Sequence, residues 1–134
     1  MCIRDSVGVM LRDKTGKFAP LSGNLTGVLL LDYIIKTRKS AGTMPENPVA
    51  LKTIVTTELA RRVAEESGVK CFDTFTGFKF MAEKKNQLEE AGEGKVIFSY
   101  EESYGYMVGD YVRDKDAVTA SMLLTEMALS LIHI

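Results

Sequence analysis

Between residues 7 and 40 the apolar positions change rhythm twice. Residues 7–11 form a short apolar run. A turn-forming stretch, Asp13-Lys14-Thr15-Gly16-Lys17, separates it from a second run at 18–21. Asp and Gly between two apolar runs predict a hairpin. Leu29, Leu30, Tyr33 and Ile34 then recur at helical spacing, with Asn24 placed to cap the helix. Residues 40–48 hold Gly42, Pro45 and Pro48 and few apolar side chains, so the pattern predicts a linker or domain boundary there. Beyond it, strand-like runs at 50–55, 69–72 and 96–100 alternate with helical patterns. The first helix follows a Thr56 or Thr57 cap and ends at Gly68; the second spans 77–90 and the third starts near Asp114. Strands alternating with helices predict an α/β layered domain.

Length and charge narrow the function classes. The 134 residues suffice for one domain with a core, or one domain and part of another. With 46% hydrophobic and 26% charged residues and a formal net charge of −1, no global field draws the chain to nucleic acid or an anionic membrane. Lys and Arg are dispersed, without the aromatic-interleaved basic stripe of single-strand binders. No apolar stretch reaches membrane-spanning length, and Arg4 and Asp5 precede any apolar region, unlike a signal peptide. Cys2 and Cys71 are far apart and His133 is the sole histidine, so neither a disulfide framework nor a zinc site is indicated. A cytoplasmic location is the expectation.

Three places where strands meet helices can carry chemistry. Glu101-Glu102-Ser103 follows the strand at 96–100. Adjacent carboxylates in extended chain point to opposite sides, and one at a strand mouth can accept hydrogen bonds from neighbouring sugar hydroxyls. The alternative is a solvated acidic turn. Arg113-Asp114-Lys115-Asp116 opens the last helix. The acids complement the helix dipole, whereas the cations make better sense if an anion also binds there. A mixed-charge cap in water is the alternative. Thr76-Gly77 precedes the second helix, where Gly77 lets the backbone approach a ligand and Thr76 offers either a ligand hydroxyl or a plain helix cap.

Read together, these motifs resemble a known family. Lys52-Thr53-Ile54-Val55-Thr56-Thr57, Phe72-Asp73-Thr74-Phe75-Thr76-Gly77-Phe78-Lys79-Phe80, Tyr100-Glu101-Glu102-Ser103-Tyr104-Gly105-Tyr106 and Val112-Arg113-Asp114-Lys115-Asp116-Ala117 are similar, in order and spacing, to the third domain of the α-phosphohexomutases. Leu21-Ser22-Gly23-Asn24-Leu25-Thr26-Gly27 resembles the closing helix of their second domain. The resemblance implies a three-layer α/β/α sugar-binding domain with a mixed sheet, preceded by the closing hairpin and helix of a neighbouring domain. On that basis residues 7–47 belong to the second domain and 48–129 to the third. It also implies a parent enzyme of four domains that interconverts hexose 1-phosphates and 6-phosphates through a phosphoserine, magnesium and glucose 1,6-bisphosphate.

Carried onto this chain, the family's Glu-x-Ser grip falls on Glu101 and Ser103, its phosphate-binding lysine on Lys115, and its cleft turn on Thr76 and Gly77. Arg113 joins the phosphate-binding set, and Glu102 is the lesser candidate for touching sugar. The family's Asp-x-Asp-x-Asp-Arg metal motif is not matched: Asp5 alone could fall on its last ligand position, and Ser6 stands where the arginine would be. Residues 1–6 and 130–134 are expected to be foreign to the family. The chain alone is therefore expected to be inactive, its partners being a hexose phosphate and the other domains of the enzyme. A non-catalytic sugar-phosphate-binding module and an unrelated α/β interaction domain are the alternatives. Residues 7–39 are expected to present an uncovered apolar helix face and to be mobile, with 48–129 folding as the compact unit.

Overall fold

Two strands buried almost along their whole length set the architecture. In the computed structural model, which describes residues 4–109 and 114–132, β3 (Pro48–Thr53) and β5 (Lys95–Tyr100) run side by side and are buried on both faces. Such strands need cover above and below. β4 (Lys70–Thr74) pairs parallel to the other side of β3, and β6 (Tyr106–Val108) pairs antiparallel to β5, giving the order β4-β3-β5-β6. The chain steps outward from β3 to β4 through α2 (Leu59–Glu66). It then steps back past β3 to β5 through α3 (Phe78–Glu90). Right-handed crossovers in opposite directions put those two helices on opposite faces.

The core accordingly has two halves. On one face α1 (Gly23–Ser40), α2 and α4 (Ala117–Ile132) contribute Leu30, Leu31, Ile35, Ala60, Ala64 and Leu124, packed against Ala50, Phe98 and Tyr100. On the other, Phe78, Met81 and Leu88 of α3 cover Val49, Leu51, Val96 and Met107. This is the expected α/β/α sandwich with a mixed sheet. The strand β6 was not foreseen: three residues inside a Gly- and Tyr-rich segment carry too little pattern to distinguish them from a turn.

α1 departs from expectation. Its cap is Ser22, whose Oγ accepts from the Leu25 N–H at 3.2 Å. Asn24 sits inside the helix instead, and its Oδ1 accepts from the Thr57 N–H at 2.9 Å, tying α1 to the loop after β3. The apolar face of α1 lies in the same core as β3 and β5, so residues 41–47 form a loop within one core. The expected uncovered face and the expected break between two units are not what the structure shows. Close contact makes this possible: a Cβ on Gly27 would stand 2.0 Å from the Tyr100 ring, and only a bare Cα lets helix and sheet meet so closely.

Ahead of α1, β1 (Val9–Arg12) and β2 (Phe18–Leu21) form a separate antiparallel hairpin. Asp13 organises its turn: its Oδ1 accepts from the backbone N–H of Thr15 at 2.8 Å and of Lys17 at 3.0 Å. Met10, Leu11 and Phe18 stand exposed on it. At the other end of the chain, the carboxylate of Asp116 accepts from the N–H groups of Val118 and Thr119 and from the Thr119 hydroxyl, capping α4. Those bonds, the Thr119 hydroxyl first, hold its carboxyl below the usual range. Among the described residues no helix is long and apolar enough to cross a membrane.

Candidate functional site

The carboxyl ends of β3, β4 and β5 open into neighbouring loops, and the start of α4 lies beside them. Glu101, the first residue beyond β5, is 6% exposed. One carboxylate oxygen, Oε1, accepts from the Gly77 N–H at 2.9 Å, just ahead of α3. The other, Oε2, accepts from the Ser103 hydroxyl at 3.2 Å and lies 4.0 Å from the Lys115 ammonium. The structure thus gathers Gly77, Glu101, Ser103 and Lys115 from three separate places in the chain. Thr76 stands exposed in the turn, and Gly77 rather than Thr76 holds the cap position of α3. Gly77 adopts φ +113°, a conformation that excludes most side chains. Arg113 lies outside the described residues.

The loop between β5 and β6 is tightly drawn. The Glu101 N–H donates to the Gly105 carbonyl at 2.9 Å, closing a turn in which Tyr104 takes φ +68°. That left-handed conformation is costly for tyrosine and is held only by surrounding contacts. Gly105 fits against Phe78 and Lys115, where a Cβ would come within 2.9 Å of the ring and 3.0 Å of the lysine Cδ. The Lys115 ammonium lies 5.7 Å from the Phe78 ring centroid, which steadies the cation over the ring face.

The two adjacent acids part company as expected. Glu102 turns away from Glu101, its Oε2 accepting from the Thr53 hydroxyl at 2.9 Å and lying 3.4 Å from the Thr56 hydroxyl. Asp5, the doubtful metal ligand, faces Lys115 across 3.9 Å and accepts from the Ser6 hydroxyl at 3.1 Å. An ammonium is the wrong neighbour for a cation, so these residues do not fit a magnesium ion. Among the described residues no group of three His, Cys, Asp or Glu side chains is placed to hold a metal.

Sequence reasoning missed an ion-pair cluster centred on Lys52. Lys52, on β3, is 1% exposed. Its Nζ lies 2.8 Å from both Glu58 Oε1 and Asp73 Oδ1, and donates to the Thr56 carbonyl at 3.1 Å. Arg61 extends the network to Asp73 and Glu58 at 2.6 and 3.0 Å, and to the Cys71 carbonyl at 2.8 Å. Burial on its own would push the Lys52 ammonium down, but the hydrogen bonds to Asp73 and Glu58 outweigh it and hold the group above its ordinary range. The signal was available: a lysine inside a strand covered on both faces must meet carboxylates.

Several buried groups on the sheet keep their protons more tightly when folded. Burial pushes the free Cys71 thiol from 9.0 up to about 11 and the Tyr106 hydroxyl up to about 12, and raises Tyr100 as well. A raised folded value means stability complete below the unfolded value and lost as pH rises through the folded one. Thermal melts should therefore begin to fall above about pH 9 and fall further through pH 11 to 12, with on the order of 2 kcal/mol traceable to Cys71. Cys71→Ala should flatten the curve between pH 9 and 11. A variant whose melts follow the parent's through that interval would refute the assignment.

Taken chemically, the site is a buried carboxylate with a hydroxyl beside it and an ammonium 4.0 Å away. It can accept hydrogen bonds from vicinal hydroxyls and offer a cation to an anion in the same ligand. The family profile described as phosphoglucomutase/phosphomannomutase, alpha/beta/alpha domain III, matches residues 22–131. The chain belongs to the phosphoglucomutase/phosphomannomutase family. Its match includes α1 and also Ser130 and Leu131, which the sequence reading had set apart as foreign to the family.

Relatives in this phosphohexomutase family agree. The chain is 35% identical over 127 residues to a phosphoglucomutase of Staphylococcus aureus strain N315, a match that spans 95% of this chain and 22% of that enzyme. A Thermus thermophilus crystal structure described as a phosphomannomutase superposes with TM-score 0.65 at 27% identity, covering 92% of this chain and 24% of its own. An Aspergillus fumigatus N-acetylphosphoglucosamine mutase, solved with GlcNAc-6P and magnesium, gives TM-score 0.67 at 14% identity over 98% of this chain and 32% of its own. This last likeness speaks to fold alone. The chain thus spans about a fifth to a third of the length of these relatives.

Proposed function

We propose that this chain is the sugar-recognition part of a phosphohexomutase whose whole length interconverts hexose 1-phosphates and hexose 6-phosphates. Glu101 and Ser103 hold sugar hydroxyls, Lys115 and Arg113 hold the phosphate, and Thr76 and Gly77 form the adjoining cleft wall. The observation that carries this reading is the buried Glu101 carboxylate at the strand mouth, with Ser103 and Lys115 drawn to the same oxygen. A solvated acidic turn would leave that carboxylate in water. The role is binding and orientation. Phosphoryl transfer needs a nucleophile and, in this family, magnesium and glucose 1,6-bisphosphate. Their site is assigned to other domains of the enzyme, since Asp5 beside Lys115 does not suit the metal. The hairpin of β1 and β2 is assigned to the neighbouring second domain, which explains its exposed apolar side chains. A cytoplasmic enzyme of carbohydrate metabolism is the setting proposed.

The test is a ¹H–¹⁵N titration of the 134-residue chain with glucose 1-phosphate. Shifts should gather at Gly77, Ser103 and Lys115. Glu101→Ala and Lys115→Ala should each weaken binding by about tenfold or more, the scale of a charge-assisted hydrogen bond. No mutase turnover is expected from the chain alone. Saturating ligand with no shift at Ser103 would sink the reading.

A further inference from the structure

Glu102 has no assigned contact with the ligand, yet it is more firmly fastened than a spare acid requires. We infer that Glu102 is a positioning residue, holding the loop so that Glu101 and Ser103 stand where a sugar meets them. The inference rests on the sugar-binding reading of those two residues.

The fastening has three parts. Thr53 and Thr56 are themselves buried with hydroxyl oxygens 2.6 Å apart, and their two protons serve the two shorter contacts: Thr56 donates to Thr53, and Thr53 to Glu102 at 2.9 Å. They are rooted in turn, because the Thr56 carbonyl accepts from Lys52, which Asp73 holds from β4. From behind, α1 closes on the Glu102 backbone: a Cβ on Gly23 would fall 2.0 Å from the Glu102 carbonyl oxygen. One peptide bond away, Glu101 is fixed independently to Gly77. The two carboxylates therefore bind the β5–β6 loop to the β3–α2 loop on one side and the β4–α3 loop on the other. Their mutual repulsion is met by separate sets of donors. Without the Thr53 and Thr56 anchor, the loop would be free to carry Glu101 off its Gly77 partner, because Tyr104 already sits in a strained conformation.

The experiment has a ligand-free arm and a ligand arm, both on the 134-residue chain. Without ligand, Glu102→Ala should speed hydrogen exchange at the Gly77 amide by about tenfold, the scale of one lost hydrogen bond. Amides in the middle of β3 and β5 should keep their protection. With glucose 1-phosphate as the probe, Glu102→Ala should raise Kd by about tenfold. Glu102→Gln keeps an oxygen that accepts from the Thr53 hydroxyl and should stay within about threefold of the parent. Thr53→Val removes the donor without touching the loop and should move both readouts as Glu102→Ala does. It decides the matter if Glu102→Ala fails to fold. Parent-like Gly77 exchange and affinity in folded Glu102→Ala or Thr53→Val would overturn the inference. A parent chain that ignores glucose 1-phosphate would overturn the sugar reading instead. The Gly77 exchange would then still show whether Glu102 sets the position of Glu101.

Discussion

Replacing Gly27 with alanine should lower the unfolding free energy by about 3 kcal/mol or more. Alanine is ordinarily the better helix former by about 1 kcal/mol, so propensity alone predicts the opposite sign. Sterics decide it. The added Cβ would lie 2.0 Å from Tyr100 Cε2 and 2.1 Å from Cδ2. That ring is buried and packs against both Phe98 and Tyr106, with centroids 5.5 and 6.3 Å away. It cannot swing aside without disturbing both neighbours, and close-packed interiors pass such strain onward. Urea unfolding followed by circular dichroism measures the change; the m-value should stay constant if the native fold survives. Parent-like stability would mean that α1 does not seat on Tyr100. The exchange-protected unit would then begin after residue 40.

Lys52→Ala is the second large effect, with an expected cost of about 3 kcal/mol, toward the low end for a broken buried ion pair. Two considerations set that figure. Removing the ammonium strands Asp73, Glu58 and the Thr56 carbonyl, all of which now share it. Glu58 is exposed, however, and water can re-solvate much of what is left. Arg61 also remains beside both acids. Lys52→Met keeps the packed stem and should cost less. A double-mutant cycle with Asp73→Asn would isolate the pair and should show a clear coupling. Strict additivity across that cycle would deny that Lys52 and Asp73 act together.

Much of the fold could be read from pattern because β3 and β5 each hold a run of consecutive apolar residues, as strands covered on both faces do, whereas α3 mixes apolar and charged positions. β6 escaped because three residues carry no period. The cap of α1 was misplaced by two residues because Ser22 and Asn24 are both good capping types, and only geometry shows which one faces the free N–H groups. The larger miss concerned residues 40–48. A Gly- and Pro-rich stretch marks a break in secondary structure, but it says nothing about whether the helix before it shares a core with the strand after it. Gly27 and Gly23 held that information, in the form of side chains that are absent. At the candidate site, residue type left a solvated turn open for Glu101 and Ser103 and a mixed-charge cap for Lys115; the family resemblance is what singled them out. Lys52, Thr53 and Thr56 stood in a motif shared with the family, but no role at the site was read from them, since holding other residues leaves no spacing signature.

The opposite orientations of Glu101 and Glu102 put a demand on counting as well as on chemistry. Side chains along extended backbone alternate, so the offset between β5 and this pair acts as a parity. One residue inserted between Tyr100 and Glu101 would preserve every functional side chain and still exchange the two faces. Glu101 would then turn from Gly77 and Lys115 toward the side of Thr53. Substitutions at this corner can be graded by size and charge, whereas changes in length come only as right or wrong.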